Sequence, residues 1–186
     1  VVARLNLKNN DYFVVSAHRE ENVDLNDNFE VLAASLNRVA EKYQKPIIFS
    51  THPRTKNRIE KNKIKFHSLI KNIPPLGFFD YVCLQKNAYV VLSDSGTISE
   101  ESAMMGFPAV SIRTSTERPE AIDAGTVVLG GISTNEVLNA IEITKGLSVN
   151  EHSDLPWEYN VKNTSERVVK VIQSYTSIVD KVIWNK

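Results

Sequence analysis

A single cysteine, Cys83, occurs among the 186 residues. One thiol cannot form an internal disulfide, nor can it build a zinc site made of several cysteines. Lysine plus arginine number 22 and aspartate plus glutamate also number 22, so the formal net charge is zero. The chain therefore has no overall attraction for nucleic acid or for an anionic membrane, and any anion-binding site must be local.

Long hydrophobic runs are also missing. The longest, such as Tyr-Val-Val-Leu at 89–92, are far shorter than the roughly 20 residues of a membrane-spanning helix. No charged segment followed by an apolar one opens the chain, so no signal peptide is visible and a soluble, cytoplasmic protein is expected. The chain starts with Val1 rather than Met, which suggests that it was cut from a longer protein.

Short apolar runs alternate with amphipathic segments along the chain. Strands are predicted at 11–17, 46–49, 88–92, 107–112 and 126–129, with a weaker one within 65–69. Helices are predicted at 25–43, 78–86, 98–105, 119–124, 134–145 and 165–184, with a basic helix that ends near 62. This alternation predicts an α/β fold, an open parallel sheet with helices on both faces.

The chain is long enough for one domain with an appended element, at about 150 residues per domain. Residues 1–150 are expected to form the sheet domain, and 151–186 a connector and a C-terminal helix. Residues 146–163 show neither a helical nor a strand period and are interpreted as the connector. In open α/β sheets, ligands bind outside the carboxyl ends of the strands. The segments that follow the strands are therefore the candidates for chemistry.

The segment Ser-Asp-Ser-Gly-Thr-Ile-Ser-Glu-Glu at 93–101 follows the predicted strand at 88–92. Gly96 permits a tight turn, and the following helix would direct free N–H groups and the positive end of its dipole at the turn, as phosphate sites require. Thr97 as N-cap with Glu100 three residues later matches a capping box. That leaves Glu101 as the better ligand candidate.

Two further polar segments follow strands. His-Arg-Glu-Glu at 18–21 places His18 at a strand end, where it is either a ligand contact or part of a solvated loop. Because no second histidine lies at ligand spacing, a metal site is not expected. In Thr-Glu-Arg-Pro-Glu at 116–120, proline suits the first helical position. Arg118 either grips a phosphate or forms a surface ion pair with Glu117 or Glu120.

Weaker candidates follow the second strand. Residues 54–65 carry six basic side chains and one acidic one. Without aromatic stacking residues, this pattern is typical of a solvated helix face, although a nucleic-acid-binding face stays open. His52 could reach the same cleft or could be a structural histidine.

Together these segments resemble the non-hydrolysing UDP-N-acetylglucosamine 2-epimerase family. The resemblance rests on His-Arg-Glu-Glu-Asn at 18–22, Ser-Asp-Ser-Gly at 93–96 with Glu-Glu at 100–101, Gly-Phe-Pro at 106–108 and Thr-Glu-Arg-Pro-Glu at 116–120 with Ala-Gly-Thr at 124–126. It covers residues 11–144. It implies a GT-B protein made of two Rossmann-like domains, of which this chain looks like the second.

The resemblance also implies roles for individual residues. It assigns UDP contacts to His18, Ser95, Gly96, Glu101 and Arg118, with Ser95 and Gly96 at the diphosphate, and it implies leaving-group chemistry for His18, Glu101 and Arg118. It places uracil near 75–81, where Leu76 and Tyr81 are the candidate wall. It implies no cofactor, a homodimer, and a missing N-terminal domain that carries the proton-transferring carboxylates.

One position departs from the family pattern. The family loop reads Asp-Ser-Gly-Gly, whereas Thr97 stands at the second glycine here, so Thr97 is carried over only as a backbone phosphate contact. With His-Pro-Arg at 52–54 and Leu-Gly-Phe-Phe-Asp-Tyr at 76–81, this resembles the branch that converts UDP-2-acetamido-2,6-dideoxy-L-talose into UDP-N-acetyl-L-fucosamine for capsule or O-antigen. UDP-N-acetylglucosamine is the alternative substrate. A GT-B glycosyltransferase domain and a nucleic-acid-binding module are the alternatives of other classes.

Overall fold

The computed structural model describes residues 1–23, 27–146 and 155–186. Its strands are Phe13–Ser16 (β1), Ile47–Ser50 (β2), Ile70–Ile73 (β3), Val90–Ser93 (β4), Ala109–Ser111 (β5) and Val128–Leu129 (β6). Its α-helices are Glu20–Val23 (α1), Asn28–Tyr43 (α2), Pro53–Lys61 (α3), Phe78–Lys86 (α4), Ile98–Met105 (α5), Pro119–Asp123 (α6), Thr134–Gly146 (α7) and Thr164–Val182 (α8). Short 3-10 helices cover Ala3–Leu5 and Trp157–Asn160.

The six strands form one sheet in the order β3-β2-β1-β4-β5-β6, and every pair is parallel. This confirms the predicted open parallel sheet and is the Rossmann strand order. The chain crosses from one half of the sheet to the other after β3, and β4 then pairs with β1. Ser16 of β1 lies opposite Ser93 of β4 at the last register position. Such a switch point leaves a crevice outside the carboxyl ends of its two central strands.

Neighbouring side chains of a strand point to opposite faces of the sheet. Since consecutive residues of the central strands are apolar, both faces of the sheet are apolar. Phe13 and Val15 of β1 belong to a buried cluster that includes residues of α2 and α7. Tyr12 and Val14 belong to a second buried cluster that includes Leu84 of α4 and Ile98 of α5. Helices therefore cover the sheet on both sides, and the site-forming loops start from strands that are fixed in the core.

The helices that border the crevice match the predicted bounds. α4 and α5 span residues 78–86 and 98–105 as predicted. α5 ends at Gly106, whose φ of 70° is left-handed and whose N–H donates to the Ser102 carbonyl over 2.8 Å. This is the expected glycine C-cap. α2 is described from Asn28, and the predicted start at residue 25 lies outside the described residues.

The prediction for the third strand is wrong in position. β3 comprises Ile70–Ile73 rather than a segment within 65–69. Ile64, Phe66 and Leu69 do pack against the first cluster, but the backbone N–H groups of His67 and Leu69 donate to side chains instead of a neighbouring strand. β3 itself lies at the sheet edge with two exposed side chains, so it lacks the apolar pattern that marks a buried strand.

The described chain divides into two compact units, Val1–Pro156 and Trp157–Lys186. Residues 147–154 of the predicted connector lie outside the described residues. α8 forms most of the second unit, and its apolar side chains recur at helical spacing and are exposed: Val168, Val171, Ile172, Tyr175, Ile178, Val179 and Val182. Within the described ranges, no helix has both the length and the apolar character needed to cross a bilayer.

Candidate functional site

The loops after β1 and β4 meet at the carboxyl edge of the sheet. His18 and Arg19 follow β1, and residues 94–97 follow β4. The backbone N–H of Asp94 donates to the carbonyl of Ser16 over 3.2 Å. The first two polar segments singled out in the sequence are therefore neighbours, as their positions after adjacent strands predict.

Asp94 is the carboxylate that joins these loops. Its side chain is fully buried. One oxygen accepts the backbone N–H groups of His18 and Arg19, each over 2.9 Å, and the side-chain amide of Asn22 over 3.2 Å. Its other oxygen lies 3.2 Å from Nδ1 of His18. A buried carboxylate needs such donors, and here they also fix the loop that carries His18.

The turn at 95–97 faces two guanidinium groups. A Cβ added at Gly96 would lie 3.4 Å from Nη2 of Arg19 and 3.9 Å from Nη2 of Arg118. The Oγ atoms of Ser95 and Thr97 lie 3.0 Å apart, and α5 begins at the next residue. Two guanidinium groups thus lie close to a helix N-terminus, an arrangement suited to an anion with several oxygen atoms.

The capping-box prediction is wrong. Thr97 is the N-cap residue, but its side chain makes no capping hydrogen bond. Its hydroxyl donates to Oε1 of Glu101 over 2.8 Å instead. Glu100 accepts from Nε of Arg118 over 2.6 Å. Because the hydroxyl of Thr97 and the carboxylate of Glu100 each have a stronger partner nearby, neither closes the reciprocal pair that a capping box requires.

Glu101 is held in a fixed position beside the turn. Its Oε2 accepts from the side-chain amide of Gln85, a buried residue of α4, over 2.7 Å. The Tyr81 phenol lies near Glu101 and Asp94. Burial, reinforced by these two carboxylates and opposed by a hydrogen bond with Ser16, raises the pKa of Tyr81 to about 12. Tyr81 is therefore a neutral hydroxyl at the edge of the site.

Arg118 pairs with α5 as well as with its own segment. Its partner is Glu100, and the Glu117 carboxylate is more distant, at 4.0 Å. The predicted ion pair with Glu117 is therefore present, but the contact with Glu100 is shorter. Both members of the Arg118 and Glu100 pair are about one third exposed, so its net contribution to stability is small.

Arg113 connects the outer ends of the polar segments. Its buried guanidinium contacts Glu21 over 2.9 Å and Glu117 over 3.0 Å. The Arg113 guanidinium lowers the pKa of Glu117. Glu117 also lies 3.8 Å from Arg19. The three segments after β1, β4 and β5 are therefore tied together by charges before any ligand binds.

The hydrogen bond to Asp94 raises the pKa of His18, although partial burial and the nearby Arg19 oppose it. The side chain is about half exposed, at 47%. The folded state favours the protonated imidazole, so the contact with Asp94 adds to the free energy of unfolding. This contribution is present below the ordinary histidine pKa and is lost as pH rises through the raised pKa of the folded state. The contact with Asp94 thus extends the protonated form of this half-exposed imidazole to higher pH.

The remaining candidate residues make contacts of their own. Leu76 lies in the loop before α4 and, like Tyr81, packs partly buried against the second core cluster. His52 caps α3 by accepting the Arg54 N–H over 3.4 Å. In the basic stretch, Arg54 pairs with Glu20 and Lys56 with Glu60. Among the described residues, no group of three histidine, cysteine, aspartate or glutamate side chains could hold a metal ion.

Arg19 and Asp94 were not predicted as site residues. Arg19 sits inside a recognised motif, but a sequence does not show where its long side chain ends. Asp94 looks like an ordinary turn residue beside Ser95 and Gly96. The available signal was its place directly after a fully buried strand, where a carboxylate must find donors in a neighbouring loop.

Comparison with known proteins shows which family the chain resembles. The model of the UDP-N-acetylglucosamine 2-epimerase family matches residues 2–173. A UDP-N-acetylglucosamine 2-epimerase from Methanococcus maripaludis is 37% identical over 172 residues, which are 89% of this chain and 45% of that protein.

Solved structures show the same likeness. The UDP-N-acetylglucosamine 2-epimerase from Rickettsia bellii superimposes with a TM-score of 0.81 at 36% identity, over 100% of this chain and 50% of that one. The enzyme from Methanocaldococcus jannaschii, in complex with UDP-GlcNAc and UDP, gives 0.77 at 33% identity, over 92% and 48%. The fold is therefore Rossmann-like and GT-B-like, and the chain spans about half the length of the relatives that it matches.

Proposed function

Since the chain belongs to the UDP-N-acetylglucosamine 2-epimerase family, we propose that it is the UDP-binding half of a UDP-sugar 2-epimerase. The single observation that carries the proposal is Gly96, which lies close to the guanidinium groups of both Arg19 and Arg118 at the start of α5. The diphosphate lies over Ser95 and Gly96. The complex of the M. jannaschii relative with UDP-GlcNAc and UDP supports the ligand class.

Binding exchanges one set of charge pairs for another. In the structure, Arg118 contacts Glu100 and Arg19 lies near Glu117. These pairs are exposed enough to cost little when they break. A diphosphate offers both guanidinium groups more oxygen atoms in forked geometry, and the first-turn N–H groups of α5 add to the attraction.

The reaction proposed for the whole protein inverts C2 without a redox cofactor. The proton leaves C2 and the bond between C1 and the UDP oxygen breaks, which gives a 2-acetamidoglycal and free UDP. UDP then adds back to C1, and a proton is delivered to C2 from the opposite face. His18, Arg118 and the start of α5 stabilise the charge on departing UDP, and Glu101 holds the nucleotide in place.

The other half of the cleft lies outside this chain. We propose that residues 1–150 form the UDP-binding domain and that 151–186 return to the missing N-terminal domain, where α8 buries its apolar stripe. That domain supplies the carboxylates that move the C2 proton. The whole protein is proposed to act in the cytoplasm as a homodimer.

The proposed substrate is UDP-2-acetamido-2,6-dideoxy-L-talose, which yields UDP-N-acetyl-L-fucosamine for capsule or O-antigen. Thr97 in the phosphate turn supports this branch. UDP-N-acetylglucosamine is the second candidate, because the similar proteins carry that name. Assays of the full-length protein with each sugar nucleotide decide the matter: faster C2 inversion of the talose compound supports the first, and faster inversion of UDP-N-acetylglucosamine overturns it.

Gly96→Ala is expected to weaken UDP binding while the protein stays folded. The added methyl would meet only the ends of two flexible side chains, at 3.4 and 3.9 Å, but it would occupy the space where the diphosphate approaches the turn. We expect Kd to rise by about tenfold or more, equivalent to about 1.4 kcal/mol. Titration calorimetry with UDP measures the Kd of the variant and of the unchanged protein.

Gly146→Ala is the matched control, because an added Cβ there has no heavy atom within 4 Å. Both variants should melt close to the unchanged protein. If Gly96→Ala binds UDP as well as Gly146→Ala does, the diphosphate does not lie over this turn.

Glu101→Gln should weaken UDP binding more than Glu100→Gln. Glu101 is held by Gln85 and Thr97 at the side of the turn, and losing its charge weakens a hydrogen bond to the nucleotide that is worth about 1.5 to 3 kcal/mol in its charged form. Glu100 only pairs with a partly exposed Arg118, so its replacement should change the binding energy by less than about 1 kcal/mol. Calorimetry and melting temperatures of both variants give the comparison, and the reverse order would show that the two roles are interchanged.

A further inference from the structure

The loop that carries His18 is held by one buried side chain on the neighbouring strand. Asp94 has no exposed surface, and it accepts the backbone N–H groups of His18 and Arg19 and the side-chain amide of Asn22, in addition to its contact with the His18 imidazole. The backbone donors alone would fix the loop, so the contact to the imidazole needs a separate explanation. It connects a buried charge to a ring that is half exposed in the crevice.

We propose that Asp94 is a positioning residue for His18, an inference that rests on the proposed function. It directs the Nδ1–H of the imidazole at its own carboxylate and leaves Nε2, on the other side of the ring, to donate to the phosphates of a bound UDP-sugar.

The surrounding charges define how this pair works. Asp94 favours the protonated ring, whereas Arg19 and partial burial disfavour it. The adjacent carboxylates of Glu20 and Glu21 have partners of their own in Arg54 and Arg113. Asp94 is therefore the charge that favours a protonated ring at this position, against the opposing effect of Arg19.

The first test measures the protonation of His18 by NMR in the unchanged chain and in Asp94→Asn. The unchanged chain should titrate above the ordinary histidine value of about 6.5, and above its pKa the remaining proton should stay on Nδ1. In Asp94→Asn the pKa should fall to the ordinary value or below, because Arg19 and burial still act. Equal pKa values, or a neutral His18 with its proton on Nε2, would overturn the proposal; the tautomer readout needs only the unchanged chain, so it holds if Asp94→Asn fails to fold.

The second test measures the affinity for UDP-N-acetylglucosamine between pH 5.5 and 8.5. Both of its phosphates are esterified and do not titrate in this range, so any pH dependence comes from the protein. Kd should rise roughly fivefold as His18 loses its charge, and His18→Gln should abolish the rise. Binding that does not change with pH contradicts the role of His18 alone, whereas no binding at any pH by the folded chain contradicts the proposed function as well.

Discussion

The 186-residue chain is expected to bind UDP and to leave C2 of a UDP-2-acetamido sugar uninverted. It has an apolar core on both faces of its sheet, so it can fold, but in the proposed two-domain arrangement the opposing wall of the cleft belongs to the other domain. The sugar would stand in water with no carboxylate to move its C2 proton. General acid–base catalysis alone is worth about 10² to 10⁴ in rate, and correct positioning adds several orders more.

Exchange of the C2 proton in deuterated buffer, followed by NMR, detects even partial turnover. UDP-2-acetamido-2,6-dideoxy-L-talose and UDP-N-acetylglucosamine are the two substrates, and the full-length protein is the control. We expect exchange at least about 10⁴-fold slower with the chain alone. Exchange or inversion at the rate of the full-length protein would overturn the two-domain account.

Arg118→Ala should weaken UDP binding by about 1.5 to 3 kcal/mol, which corresponds to a Kd roughly 10 to 150 times higher. The guanidinium lies next to Gly96 and is held there by Glu100, so it reaches the diphosphate without a large rearrangement. Removing it leaves one of the two cations that flank the turn. Calorimetry measures the loss.

Arg38→Ala is the matched control for this change. Arg38 is also a surface arginine paired with a carboxylate, Glu41, at 2.8 Å, but it lies on α2 away from the motif segments. Its replacement should leave UDP affinity unchanged. An Arg118→Ala protein that is folded and binds UDP like Arg38→Ala would remove Arg118 from the site.

Local sequence signals predicted the frame of this site well. α4 and α5 begin and end at the predicted residues, because apolar spacing, a glycine C-cap and the polar turn at 93–97 all mark their ends. The position of the site at the carboxyl edge followed from the order of strands and helices. β3 escaped prediction because an edge strand with exposed Lys71 and Asn72 carries little apolar pattern.

Side-chain partners were harder to predict than elements. Thr97 and Glu100 have the spacing of a capping box, but their partners turned out to be Glu101 and Arg118. Arg118 is 18 residues away from Glu100 in sequence, and only the folded sheet brings the two together. The same holds for Asp94, whose donors come from the loop after β1. Spacing within one helix cannot reveal competitors from another loop.

An NMR titration of the isotopically labelled chain with UDP tests the central claim most directly, because it reports both affinity and place. The account predicts saturable binding, with the largest shifts at the backbone amides of residues 95–98 and at the side chains of Arg19 and Arg118. Nucleotide that shifts the basic helix α3 instead, or no saturable shift at millimolar UDP, would contradict it.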